Sequence, residues 1–104
     1  MVQYDIKHTV SSEIDLANIL RYIAVDLDSP AAALRMVETI DDAIAGLSTM
    51  PQRYPLVEDE RLAEMGYRKL VVKNFIAFFS INEGAGIVNI ERILHARQDW
   101  LRIL

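Results

Sequence analysis

YRKLVVKNFIAFFSINEGAGIVNIERIL, Tyr67 to Leu94, holds three runs rich in β-branched and aromatic residues. They are Tyr67–Val72, Phe75–Ile81 and Ile87–Leu94. Such runs form strands, because branched and aromatic side chains pack well on a pleated surface. Lys73-Asn74 separates the first two, and Asn82-Glu83-Gly84-Ala85-Gly86 the last two. Both are of hairpin length, so the stretch predicts an antiparallel three-stranded meander. The middle run, FIAFFSI, is apolar almost throughout. That pattern suits a central strand, covered on one face by helices and on the other by a partner or the C-terminal turn.

Upstream the period is different. Val2, Tyr4 and Ile6 alternate with Gln3, Asp5 and Lys7, as in a strand with one buried face. Thr9, Ser11 and Ser12 offer N-caps to a helix that runs to Leu27, with Leu16, Leu20, Ile23 and Leu27 at helical spacing. Ser29-Pro30 reads as an N-cap followed by a first helical residue, where a missing N–H costs nothing. The second helix carries Ala33, Met36, Val37, Ile40, Ile44 and Leu47 on one stripe, and Pro51 stops it. The short connection makes the two helices antiparallel neighbours. Residues 50–66 are irregular, with prolines at 51 and 55 and one helical turn expected around Glu60–Met65. The expected order is β-α-α-β-β-β-(α): an α+β domain, with the helical hairpin on a curved antiparallel sheet that includes the N-terminal strand.

The 104 residues have room for one domain, residues 1–104. A 52% hydrophobic and 25% charged composition fits a packed globule. It is apolar enough for its length that some surface is expected to meet a partner or a second copy, a homodimer. There is no cysteine, hence no disulfide and no thiolate metal site. No signal peptide pattern and no spanning apolar segment is present, so a soluble cytoplasmic protein with no membrane contact is expected. The net charge of −4 argues against a general nucleic-acid binder. The charge is uneven, however. Residues 67–104 hold six Lys/Arg against three Asp/Glu, whereas residues 1–66 hold five against twelve.

The basic third ends in RILHARQDWLRIL, Arg92 to Leu104, where chemistry-bearing side chains crowd together. His95 fits a general acid or base, or equally a strand-end histidine bonded to Asp99. Arg92 and Arg97 fit contacts to nucleic acid or a protein target, or ion pairs to Asp99 or Glu91. Trp100 fits stacking on a partner, or an anchor that folds Ile103 and Leu104 back as an apolar lid, with Asp99 capping the turn. Tyr67 starts a strand after Gly66, at the mouth of the sheet cleft or as an ordinary strand aromatic. Glu58-Asp59-Glu60 lacks any metal-ligand spacing and reads as a solvated loop; His8 reads as a loop residue. No phosphate loop, zinc spacing or nucleophile elbow occurs, so neither cofactor nor metal is expected.

Four segments in order carry a resemblance: YIAVDLDSPAAA, MPQRYPLV, GYRKLVVKNFIAFFSI and ILHARQDW. Together they resemble the RelE/ParE toxin superfamily along essentially the whole chain, with the ParE-like branch, often called plasmid stabilisation proteins, the closer match. The resemblance implies a toxin of a type II toxin–antitoxin pair, held by a cognate antitoxin. ParE-like members inhibit DNA gyrase, while RelE-like members are mRNA interferases that cut mRNA in the ribosomal A site without a metal. A degenerate member would bind only its antitoxin. The RNA-cutting branch gathers Lys and Arg on the first two meander strands and an Arg near the C-terminus. Carried over, this implies Lys69, His95 and Arg97 as catalytic residues of a nuclease, and Arg68, Lys73, Arg92, Asp99, Trp100 and Tyr67 as binding residues. That branch tends to place an Arg on the second meander strand, where this chain has NFIAFFSI. Cleavage by 2′-OH attack needs a base, an acid and cations on the phosphorane. One cation is missing, which favours gyrase inhibition by protein binding.

Overall fold

A computed structural model describes residues 2–104. Strand β1 (Asp5–His8) leads into helix α1 (Val10–Arg21), which continues as one π-helical turn, Tyr22–Asp26. Helix α2 (Pro30–Ala45) returns antiparallel to it. Two 3₁₀ turns follow, Gly46–Ser48 and Pro51–Arg53, then a short helix α3 (Glu60–Glu64). Strands β2 (Arg68–Val72), β3 (Phe75–Asn82) and β4 (Ile87–His95) form the meander, and a four-residue helix α4 (Trp100–Ile103) closes the chain. The architecture is the expected α+β one.

The sheet order is β1-β4-β3-β2. The meander pairs are antiparallel, but β1 lies parallel to β4, with Asp5 beside Ile87 and His8 beside Ile90. The sheet is therefore mixed, which corrects the expectation of an antiparallel N-terminal strand. Parallel neighbours need a crossover, and here it consists of the helical hairpin and the first two meander strands.

The sheet separates two cores. On one face, α1 and α2 pack Ile19, Ile40, Ile44 and Leu47 against Leu70, Val72, Ala77, Phe79, Val88, Ile90 and Ile93. On the other, Val57, Leu62, Trp100 and Leu104 cover Ile76, Phe78 and Leu94. Strand β3 is thus buried on both faces, as its unbroken apolar run predicts. Its Phe78 and Phe79 point into opposite cores, both with 0% exposure. Each contributes about 2–3 kcal/mol through burial.

Several local expectations shift. Thr9 caps α1 by accepting the Ser12 N–H, and Pro30 opens α2. Ser29 contributes its carbonyl to the first turn of α2 but no side-chain cap. Helix α2 ends at Ala45, six residues before Pro51, and Pro51 starts a 3₁₀ turn instead. Asp59 in the acidic loop caps α3 through the Leu62 N–H. The buried residues of α1 are Ser12, Asp15 and Ile19, while Leu16 and Ile23 are only partly covered. Leu27 is exposed rather than on the core stripe. Its N–H bonds back five residues to the Tyr22 carbonyl, and that wider turn rotates the stripe away from the sheet.

Candidate functional site

Strand β1 ends at His8, beside Ile90, so β4 from Glu91 to His95 has no strand on its outer edge. An edge strand leaves backbone groups unpaired. Here side chains take the place of a strand. The Thr9 hydroxyl donates to the Glu91 carbonyl at 2.8 Å, and the Gln98 side-chain oxygen accepts the His95 N–H at 2.8 Å. Between them Asp15, 8% exposed, accepts the Ile93 N–H at 2.9 Å. The same carboxylate takes two hydrogen bonds from Arg92, at 2.7 Å from Nε and 2.9 Å from Nη2. This fork raises the Arg92 pKa and keeps the guanidinium charged. Arg92 is thus paired, but with Asp15 of α1 rather than with Asp99 or Glu91.

A β-bulge at Glu91 sets what faces where. Phe79 pairs with Ile90 and Phe78 with Arg92, so Glu91 is the extra residue. Ile90 and Ile93 both reach the helix-side core, while Leu94 turns to the other face. His95 returns to the helix side, with its ring edge-on to Phe75 at 5.4 Å. There it lines a groove of about 730 Å³ between the end of β4 and the α1–α2 elbow. Tyr22, Leu27, Met36 and Phe75 supply apolar walls; Asn18, Asn74 and Gln98 supply polar ones. His95 Nδ1 accepts the Arg97 N–H at 3.0 Å, which requires an unprotonated Nδ1. The Ala96 N–H bonds the Asn74 carbonyl at 2.8 Å, tying the closing turn to the β2–β3 turn.

The opposite face is closed by aromatic packing. Trp100 lies on Phe78 with ring centroids 5.2 Å apart. Arg61 of α3 reaches the Leu101 and Leu104 carbonyls, both at 3.4 Å, and ties the two short helices together. Asp99 provides no side-chain cap for α4, contrary to expectation, and sits 4.0 Å from Arg102. Tyr67 packs against this second core. Burial raises its pKa first and Glu91 second, while Arg61 and Arg92 oppose the shift.

The sequence-derived candidates are therefore dispersed. His95 faces the groove, and Arg92 lies at its edge. Lys69, paired with Phe78, shares the second face with Tyr67 and Trp100. Arg68 donates to the Gln52 and Tyr54 carbonyls. Lys73 occupies the exposed β2–β3 turn at φ 56°, and Arg97 and Asp99 lie exposed on the closing turn. His95 and Asp99 form no bond; the histidine's partner is the Arg97 backbone. Residues the sequence reading missed include Asp15, Tyr22 and Gln98. Asp15 had a signal, since Ser12, Asp15 and Ile19 follow helical spacing as a half-polar stripe. Among the described residues, no three His, Asp or Glu side chains gather as a metal site, and no helix is long and apolar enough to cross a membrane.

Comparison with known proteins agrees with this fold. The model of the ParE toxin of type II toxin–antitoxin systems, parDE, matches residues 6–100. No curated relative matches. Among solved structures, the chromosomal ParDE toxin–antitoxin system from P. aeruginosa superposes with a TM-score of 0.75 at 23% identity, over 91% of this chain and 98% of the other. The RelBE2 toxin–antitoxin complex from Mycobacterium tuberculosis superposes with a TM-score of 0.63 at 22% identity, over 91% and 93%. The family model spans nearly the whole domain, from β1 to the start of α4, and on that ground the chain belongs to the ParE family of type II toxins.

Proposed function

We propose that the chain arrests growth by binding a protein target, DNA gyrase, without chemistry of its own, and that a cognate antitoxin holds it inactive. The observation that carries this reading is Phe78. It occupies the second meander strand, where the RNA-cutting branch tends to carry an Arg, and it is fully buried under Trp100. A cation there would have to displace an aromatic core. The separation of His95 from Lys69 onto opposite sheet faces supports the same reading, because acid, base and cation must converge on one phosphate. The antitoxin is proposed because both similar structures are described as toxin–antitoxin systems or complexes.

The test is induction of the chain in cells, read beside DNA supercoiling by purified gyrase and A-site cleavage of ribosome-bound mRNA. Supercoiling is inhibited and mRNA stays intact. His95→Ala and Arg97→Ala weaken inhibition by degrees, since interface energy is spread over several anchors. Removal of a proton-transfer group would instead cost about 10²–10⁴-fold. A clean A-site cut by the parent chain, abolished by Arg97→Ala, would overturn the proposal.

A further inference from the structure

Helix α1 presents an apolar line to solvent on the side away from the sheet. Val10 is 73% and Ile14 55% exposed, Ala17 continues the line at helical spacing, and the charged Arg21 ends it. Beside it runs a shallow, almost wholly apolar groove of about 270 Å³, formed by Glu13, Leu16, Ala17 and Leu20 of α1 and Val37 of α2. Leu34 of α2 adds a further exposed apolar side chain, at 58%. Apart from Leu16, which also packs against the helix-side core, this surface belongs to neither core, and the groove lined by His95 lies on the other flank of α1.

The charges on this face are self-complementary. Glu13 and Arg21 lie four residues either side of Ala17, and both are exposed. If two α1 helices cross antiparallel with the twofold axis at Ala17, each Glu13 meets Arg21 of the other copy. The same operation sets Ile14 against Leu20 across the groove. Ala17 falls on the axis, where its small side chain lets the backbones approach. A parallel pairing would instead set Glu13 against Glu13. A twofold interface requires such self-complementarity; a contact with an unrelated partner does not. We propose that this face pairs with a second copy of the chain, through antiparallel α1 helices centred on Ala17.

A twelve-residue helix is about 18 Å long, so the interface falls at the small end of specific contacts. The test is sedimentation of the full chain, at concentrations from about 1 μM to about 100 μM. A concentration-dependent dimer is expected. Ile14→Asp abolishes it while circular dichroism stays unchanged, because Ile14 is exposed. Glu13→Arg and Arg21→Glu each weaken it by about tenfold, since two like-charge contacts replace two opposite ones. The double exchange, Glu13→Arg with Arg21→Glu, restores the parental dimer. A monomer throughout the range overturns the proposal, as does a dimer indifferent to Ile14→Asp or a double exchange no tighter than the singles. A monomeric chain whose antitoxin complex is destroyed by Ile14→Asp assigns the face to the antitoxin and overturns it equally.

Discussion

Replacing Asp15 with alanine removes one carboxylate and three hydrogen bonds. The Ile93 N–H loses its acceptor in a buried setting, at a cost of about 1–2 kcal/mol. The Arg92 guanidinium loses both contacts to Asp15, but its side chain is 28% exposed and can turn toward water. Its loss is therefore about 1 kcal/mol, not the 3–5 of a fully buried pair. The sum is about 2–3 kcal/mol. An unfolding entropy near 2.1 cal/mol/K per residue converts this to a fall in Tm of about 9–14 °C for a chain of 104 residues. Asp15→Asn keeps one oxygen for the Ile93 N–H and loses mainly the ion pair, so it falls by about 1 kcal/mol. Thermal and urea unfolding of the two variants, of Arg92→Ala and of the double mutant give the coupling directly. We expect about 1 kcal/mol between Asp15 and Arg92. A drop in Tm below about 3 °C for Asp15→Ala, or strict additivity in the cycle, would refute the view that a side chain replaces the missing edge strand.

Trp100→Ala uncovers Phe78 and costs about 2 kcal/mol in urea unfolding, less than a fully buried tryptophan because Trp100 is only partly covered. An unchanged midpoint would show that α4 does not close the second core. Acid unfolding tests the tie formed by Tyr4, Gln52 and Glu83. The hydrogen bond from Gln52, and then that from Tyr4, holds the Glu83 carboxyl below its ordinary value of 4.5. Its stabilisation is thus present above that value and is lost as pH falls through the lowered one. Tyr4, raised by its bond to Glu83, behaves in the opposite sense: its share is present below pH 10.0 and lost as pH rises through the raised value. Glu83→Gln flattens the acid side of the stability profile; superimposable profiles for parent and variant would exclude the tie.

The meander and the helical hairpin were legible because each follows from neighbours in sequence: two hairpin turns, one Ser29-Pro30 break and an apolar run through FIAFFSI. The direction of β1 was not. Alternation of Tyr4 and Ile6 with polar residues looks the same in parallel and antiparallel pairing, and the strand's partner is at the far end of the chain. The elbow after Arg21 was illegible for another reason. One π-helical turn, Tyr22–Asp26, redirects the stripe, and no residue type announces such a turn. The site was half legible. The closing stretch does hold functional-looking side chains, but strand alternation and the Glu91 bulge send His95 to one face and Leu94 to the other. Asp15, the residue that ties this region to α1, carries only its helical spacing as a signal, because the Arg92 that makes its burial tolerable lies far along the chain.

The parallel pairing of the first and last sheet strands also sets a clock on biosynthesis. Ile93 is 78 residues beyond Asp15, and translation adds about 5–20 residues per second. For roughly 4–16 s the nascent chain therefore carries β1 and Asp15 with nothing to pair with. The apolar underside of α1 waits as long for β4, whereas that of α2 meets the nearer strand β2 sooner. Contacts so far apart in sequence are slow to form even after release. The mixed sheet is thus completed only with β4, whose Ile93 and Leu94 belong one to each core, so neither core is sealed until that strand has been made.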